Sequence, residues 1–125
     1  MGSFESRRAE RKGITLKGNF RIEDDLKYKL HIYKEPVELT IVDIGVLGCG
    51  FVAPYYLPKG LILLIRMINF PTLTAEGAQK VKDIEFTGRV MACRTTAVRA
   101  NRVGLEFVDI RKEDLSQVQR FVSEG

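Results

Sequence analysis

The chain has 125 residues, which suits one domain and is long enough to bury most of its apolar surface without metal or disulfide staples. Its composition, 45% hydrophobic and 29% charged, is ordinary for a globular protein, and a net charge of +4 fits an anionic partner without demanding one. Two distant cysteines and a single histidine match no metal-ligand spacing, and no apolar run approaches the about 20 residues of a membrane span.

Residues 1–13 read as a polar arm. It carries Arg7, Arg8, Arg11 and Lys12 against Glu5 and Glu10, and Phe4 is its one large apolar residue. Such a segment cannot fill a core, so it is expected to be solvated or folded over a partner. From Ile14 the pattern turns strand-like. Ile14, Leu16, Phe20 and Ile22 share one parity, with Gly18 interrupting the row as a candidate bulge. Tyr28, Leu30 and Ile32 alternate with Lys27, Lys29 and His31 as a second candidate strand.

Val37, Leu39 and Ile41 alternate with Glu38 and Thr40, and lead into Val42-Asp43-Ile44-Gly45-Val46-Leu47-Gly48-Cys49-Gly50-Phe51. Three glycines within six residues weaken a strand interior but suit a sharp strand-turn-strand shelf. Asp43 would stand at its lip. A loop with Pro54, Tyr55, Tyr56 and Pro58 follows. Leu61 to Ile68 is apolar on both parities apart from Arg66, which predicts a strand covered on both faces. Residues 70–80 read as a polar loop.

Ile84, Phe86, Val90 and Ala92 share one parity, and Val103, Leu105 and Phe107 another, predicting two more strands joined by an exposed basic hairpin region from Arg94 to Arg102. Residues 111–123 form the one clear helix, with Leu115, Val118, Phe121 and Val122 on one stripe and Asp114 near its first turn. The elements predict an all-β fold, a small six- to seven-stranded antiparallel barrel followed by one C-terminal helix. The domain would span 14–125, with the helix at 111–123 and the basic arm before it.

The residue inventory does not build an enzyme. One histidine and two unmatched cysteines give no nucleophile and base constellation, and glycines 45, 48 and 50 have neither phosphate-loop spacing nor a helix after them. Binding chemistry is better represented. Arg7, Arg8 and Arg11 place three planar, permanently charged guanidinium groups within five residues. They can pair with phosphate, bond guanine O6 and N7, or stack on a purine. Asp43 complements them, because a carboxylate accepts from guanine N1–H and N2–H2, which adenine does not offer. Taken singly, a basic arm is a solvated tail and an Asp before a glycine-rich turn bonds its own backbone.

The combination resembles the PilZ domain family, the bacterial receptor module for cyclic di-GMP. Arg7-Arg8-Ala9-Glu10-Arg11 matches the family's Arg-x-x-x-Arg motif. Asp43-Ile44-Gly45-Val46-Leu47-Gly48 matches its second motif at Asp43 and Gly48, with Gly45 in place of the family's serine. Phe86-Thr87-Gly88-Arg89-Val90 and Arg102 to Ile110 resemble its later strands. The resemblance implies a cytoplasmic bacterial receptor or adaptor with no cofactor and no catalysis. Its ligand would be cyclic di-GMP, bound by Arg7, Arg8, Arg11, Asp43, Gly45 and Gly48. Closure of the arm would change a surface read by a downstream protein. The hydroxyl lost at Gly45 costs roughly up to tenfold in affinity. It also leaves a second reading, a degenerate interaction module with this fold that binds no nucleotide. Membrane insertion is not expected, and nucleic acid is disfavoured by the absence of an aromatic platform.

Overall fold

The computed structural model describes residues 10–23, 35–73 and 76–124. Alternating apolar residues fold into β1 (Arg11–Ile22), β2 (Val37–Gly45), β3 (Gly48–Ala53), β4 (Ile62–Leu73), β5 (Gln79–Ala97) and β6 (Ala100–Ile110), and the 3.6-period stripe into helix α1 (Lys112–Ser123). All pairings are antiparallel, in the order β1-β2-β3-β6-β5-β4, and β4 returns to β1, so the sheet closes on itself. The candidate strand around Tyr28 to Ile32 lies outside the described residues.

The inward parity supplies the core: Phe20, Ile41, Phe51, Ile65, Met67, Ile84, Val103 and Leu105 are fully or almost fully buried. Phe20 and Phe51 meet at 6.1 Å between ring centroids. Helix α1 covers the end of the ring where β1 begins and β4 finishes. Val118 enters the core, and Phe121 meets Phe70 edge-on at 5.5 Å. Lys12 on β1 lies 4.2 Å from the Phe121 ring centroid and donates to the Phe121 carbonyl at 3.2 Å. Asp114 is buried on the helix and takes Lys82 of β5 at 2.7 Å. Burial would be costly for that carboxylate alone, and the ammonium offsets it.

Three expectations change. Gly18 sits in regular register with Leu39 and Met67, and the β1 irregularity falls instead between Gly13 and Leu16. A Cβ on Gly18 would stand 2.6 Å from the Arg66 carbonyl oxygen, so close approach of β4 explains the glycine. Strand β4 is not covered on both faces: Leu63, Ile65 and Met67 face inward, while Leu64 is 40% exposed and Arg66 pairs with Asp83 and Glu85 at the surface. The segment 70–80 is largely strand, since β4 runs to Leu73 and β5 begins at Gln79. The basic hairpin is present as expected, its two arms in strand up to a two-residue turn at Val98-Arg99, where Arg99 takes a left-handed φ of 57°.

Parity also fails within β5, most consequentially before Ala92. The ladder slips between Val90 and Ala92, leaving Met91 as the extra residue. Val90 stays in the core, but Ala92 and Arg94 turn outward.

Candidate functional site

Asp43 lies within β2, two residues before its end, opposite Gly13 of β1 and Gly50 of β3. Its carboxylate does not bond its own backbone. Arg11 Nη1 donates to Oδ1 at 2.6 Å, and Arg102 Nη2 donates to Oδ2. The Asp43 side chain is 20% exposed, and those of Arg11 and Arg102 are 45% and 38% exposed. The three groups therefore form a half-open ion cluster on the outer face of the sheet. Arg7 and Arg8 lie outside the described residues. Arg11 belongs to β1 rather than to a free arm, because the strand begins there.

The shelf glycines are used for close approach and not for left-handed backbone; only Gly60 and Gly77 have positive φ among the described glycines. Gly45 is buried at the end of β2, opposite Arg11. A Cβ there would come 2.6 Å from the Glu10 carbonyl oxygen and 3.2 Å from Arg11 Cγ. The missing side chain thus admits the base of β1 and with it Arg11. Gly48 is buried at the start of β3, and a Cβ there would overlap the carbonyl oxygen of Leu105 on β6. The two-residue turn between them is Val46-Leu47. Neither glycine offers a side chain to a ligand; their backbones set the spacing of β1, β2, β3 and β6.

Gly50 and Arg102 are the residues that sequence reasoning did not place at the site. Gly50 stands between the partners: a Cβ would be 2.9 Å from Asp43 Oδ1 and 3.0 Å from Arg102 Nη2. Its absence lets Arg102 reach across β3. The surrounding depression, about 340 Å³, is lined by Arg11, Asp43, Gly50, Arg94, Arg102 and Gly104 among others. The signal available in the sequence was the third shelf glycine, which lies beyond the motif that ends at Gly48.

Cys49 lies beneath this surface on the inner side of β3. Burial pushes its thiol up to about 12, with Arg11 opposing and Asp43 adding to the shift. It is a core side chain and not a nucleophile. Cys93 is half-buried and accepts a weak bond from the Leu57 amide at 3.4 Å. Both thiols are free. No helix among the described residues is long and apolar enough to cross a membrane.

What this arrangement offers is an anion and donor surface: two guanidiniums and one carboxylate on a rigid sheet, able to exchange partners with a charged, hydrogen-bonding ligand. No curated protein matches the chain significantly. Several solved structures share its fold, among them the following two. The Bacillus subtilis inhibitor of motility MotI/DgrA aligns with a TM-score of 0.70 at 14% identity, covering 94% of this chain and 50% of that one. The PilZ domain of Escherichia coli YcgR, solved with c-di-GMP, aligns with a TM-score of 0.59 at 12% identity, covering 94% and 89%. The chain thus spans half the length of MotI/DgrA. The family model described as PilZ domain matches residues 5–124, from within the arginine-bearing arm to the end of α1. With that match over nearly its whole length, the chain belongs to the PilZ domain family.

Proposed function

We propose that this protein is a cyclic di-GMP receptor of the bacterial cytoplasm, an adaptor and not an enzyme. The observation that carries the reading is the Asp43 carboxylate, held on the outer sheet face with Arg11 on one oxygen. These two residues come from the two motif positions of the sequence, 32 residues apart in the chain, and meet in space. In the bound state Asp43 accepts from the guanine N1–H and N2–H2. Arg11, joined by Arg7 and Arg8, contacts phosphate and the guanine Hoogsteen edge. Gly45 and Gly48 hold the backbone under the base. The related fold of YcgR, solved with c-di-GMP, supports the ligand class. Binding draws the arm over the sheet and alters the surface seen by a downstream protein.

Isothermal titration with cyclic di-GMP, with GTP as control, tests the reading. Arg7→Ala, Arg11→Ala and Asp43→Ala should each remove most of the affinity. Wild-type heats no larger than those of buffer dilution overturn the proposal.

A second reading is favoured by Gly45. With no hydroxyl there and β1 drawn against β2, the domain would serve as a protein-interaction module without a nucleotide. Its interface would use exposed apolar residues such as Leu47 and Tyr56, each 60% exposed. Arm amide signals unmoved by cyclic di-GMP in an NMR titration would favour it.

A further inference from the structure

We infer that the nucleotide surface extends from Asp43 across β3 and β6 to β5, where Arg102 and Arg94 form a second anion contact, and that Arg102 exchanges Asp43 for a ligand phosphate on binding. The inference rests on the receptor reading above and deepens it.

The first observation is a bare row. Asp43 pairs with Gly50, Gly50 with Gly104, and Gly104 with Ala92. Paired residues in an antiparallel sheet share a face. Beyond the carboxylate, the row itself therefore adds only one methyl group across three strands, and at Gly50 the side chain that lies over it is that of Arg102. A Cβ on Gly104 would meet nothing within 4 Å, so the floor is open above it. Three strand spacings span about 14 Å. That is room for a flat base beside Asp43 with its sugar and phosphate lying toward β5.

The second observation is a charge conflict. Arg102 and Arg94 stand directly opposite each other on β6 and β5. Like charges in that position destabilise a sheet. Arg102 is offset by Asp43, whereas Arg94 makes no ion pair among the described residues. The slip at Met91 is what turns Arg94 to this face; an unbroken pleat would point it inward. An anion lying between the two guanidiniums would remove the repulsion and add charge-assisted bonds to both.

The third observation is that both Asp43 oxygens are taken, one by each arginine. Guanine N1–H and N2–H2 need those same acceptors. Each oxygen keeps a further lone pair, but the guanidinium beside it competes with the base for the exposed edge, so edge-on docking is eased when a guanidinium leaves toward another anion. Arg102 is placed for this exchange, because Arg94 has already gathered positive charge beside it. The carboxylate trades a guanidinium for guanine donors, and Arg102 trades a carboxylate for a phosphate. Arg102 is then both a contact residue and the group that keeps empty Asp43 satisfied.

Calorimetric titration of the full chain with cyclic di-GMP, at low and at raised salt, tests the exchange. Arg94→Ala removes no ion pair found among the described residues and relieves the repulsion with Arg102, so its melting temperature should equal or slightly exceed that of wild type. Arg94→Ala and Arg102→Ala should each weaken binding roughly tenfold, the worth of one charge-assisted contact. Both should also flatten the salt dependence, since screened charge is what they remove. Arg102→Lys should recover part of the salt dependence but not the affinity, because the fork geometry is lost. If wild type binds while both alanine variants bind as tightly and with unchanged salt dependence, the inference falls and the receptor reading stands. If wild type does not bind at all, both fall.

Discussion

Gly50 and Asp43 face each other across β3 and β2, and the missing side chain of the first opens the path by which Arg102 reaches the second. A glycine within a strand is normally a weak point. Here it is the gap through which the site is wired. Different glycines of the same shelf do different work, and that difference can be measured.

For Gly48, an added Cβ overlaps the backbone carbonyl of Leu105, which cannot swing aside. For Gly50, the nearest atoms are the ends of the Asp43 and Arg102 side chains, which can. Gly48→Ala should therefore cost more than about 3 kcal/mol in urea unfolding, and Gly50→Ala less than about 1 kcal/mol. Gly50→Ala should nevertheless shift the Arg102 side-chain NMR signal as the ion pair is displaced. Equal costs for the two substitutions would show that β3 is not pressed against β6 as described.

Gly45→Ser restores the family pattern, and pattern alone predicts tighter binding. The structure predicts otherwise. The new Cβ would sit 2.6 Å from the Glu10 carbonyl oxygen, and backbone must move to admit it. The variant should lose about 1–3 kcal/mol of stability and show faster amide exchange at the start of β1. A serine variant as stable as wild type would mean that β1 does not rest on Gly45.

Asp83 accepts from the Asn69 amide at 3.0 Å and from Arg66 Nη2 at 2.9 Å. The amide first, and then the guanidinium, hold its carboxyl below the ordinary 3.8. Lowering in the folded state makes this contribution full above the unfolded value and lost as pH falls through the folded one. Asp83→Asn should flatten the fall of melting temperature on acidification below about pH 4. An acid limb identical to wild type would remove Asp83 from the account. Asn69, with a left-handed φ of 58° at the β4 irregularity, should accept glycine without loss.

Lys82 and Asp114 form an unequal pair: the carboxylate side chain is 4% exposed and the lysine 43%. Removing the lysine leaves a buried charge alone, while removing the carboxylate's charge leaves an ammonium that water can reach. Lys82→Met should cost about 1–3 kcal/mol and loosen α1, and Asp114→Asn should cost less. Chemical denaturation followed by far-ultraviolet circular dichroism gives the order. The reverse order would mean that the helix is not held by this contact.

Much of the architecture was legible because alternation survives wherever one face of a strand is core. Phe20, Ile41, Ile65 and Leu105 fall where parity puts them. Parity assumes an unbroken pleat, and it failed at Met91, where one extra residue carries Ala92 and Arg94 outward. Strand ends such as Leu73 and Gln79 were missed because polar residues pair there without a core to bury. At the site, motif spacing pointed to Arg11 and Asp43. Arg102 was read only as an exposed basic residue, since its partner lies 59 residues away and the reach depends on a glycine in a third strand. Gly45 read as a lost hydroxyl; its use as a contact surface for Glu10 is visible only once β1 is seen lying on β2.

The chain contains no tryptophan, and Gly104 has nothing above its α-carbon within 4 Å. An indole introduced at that one position would be the protein's sole such fluorophore, rooted in the middle of the flat floor. Gly104→Trp would then act as a built-in plug with its own optical signal, letting the occupied shape of the surface be mimicked while the fold around it is left intact.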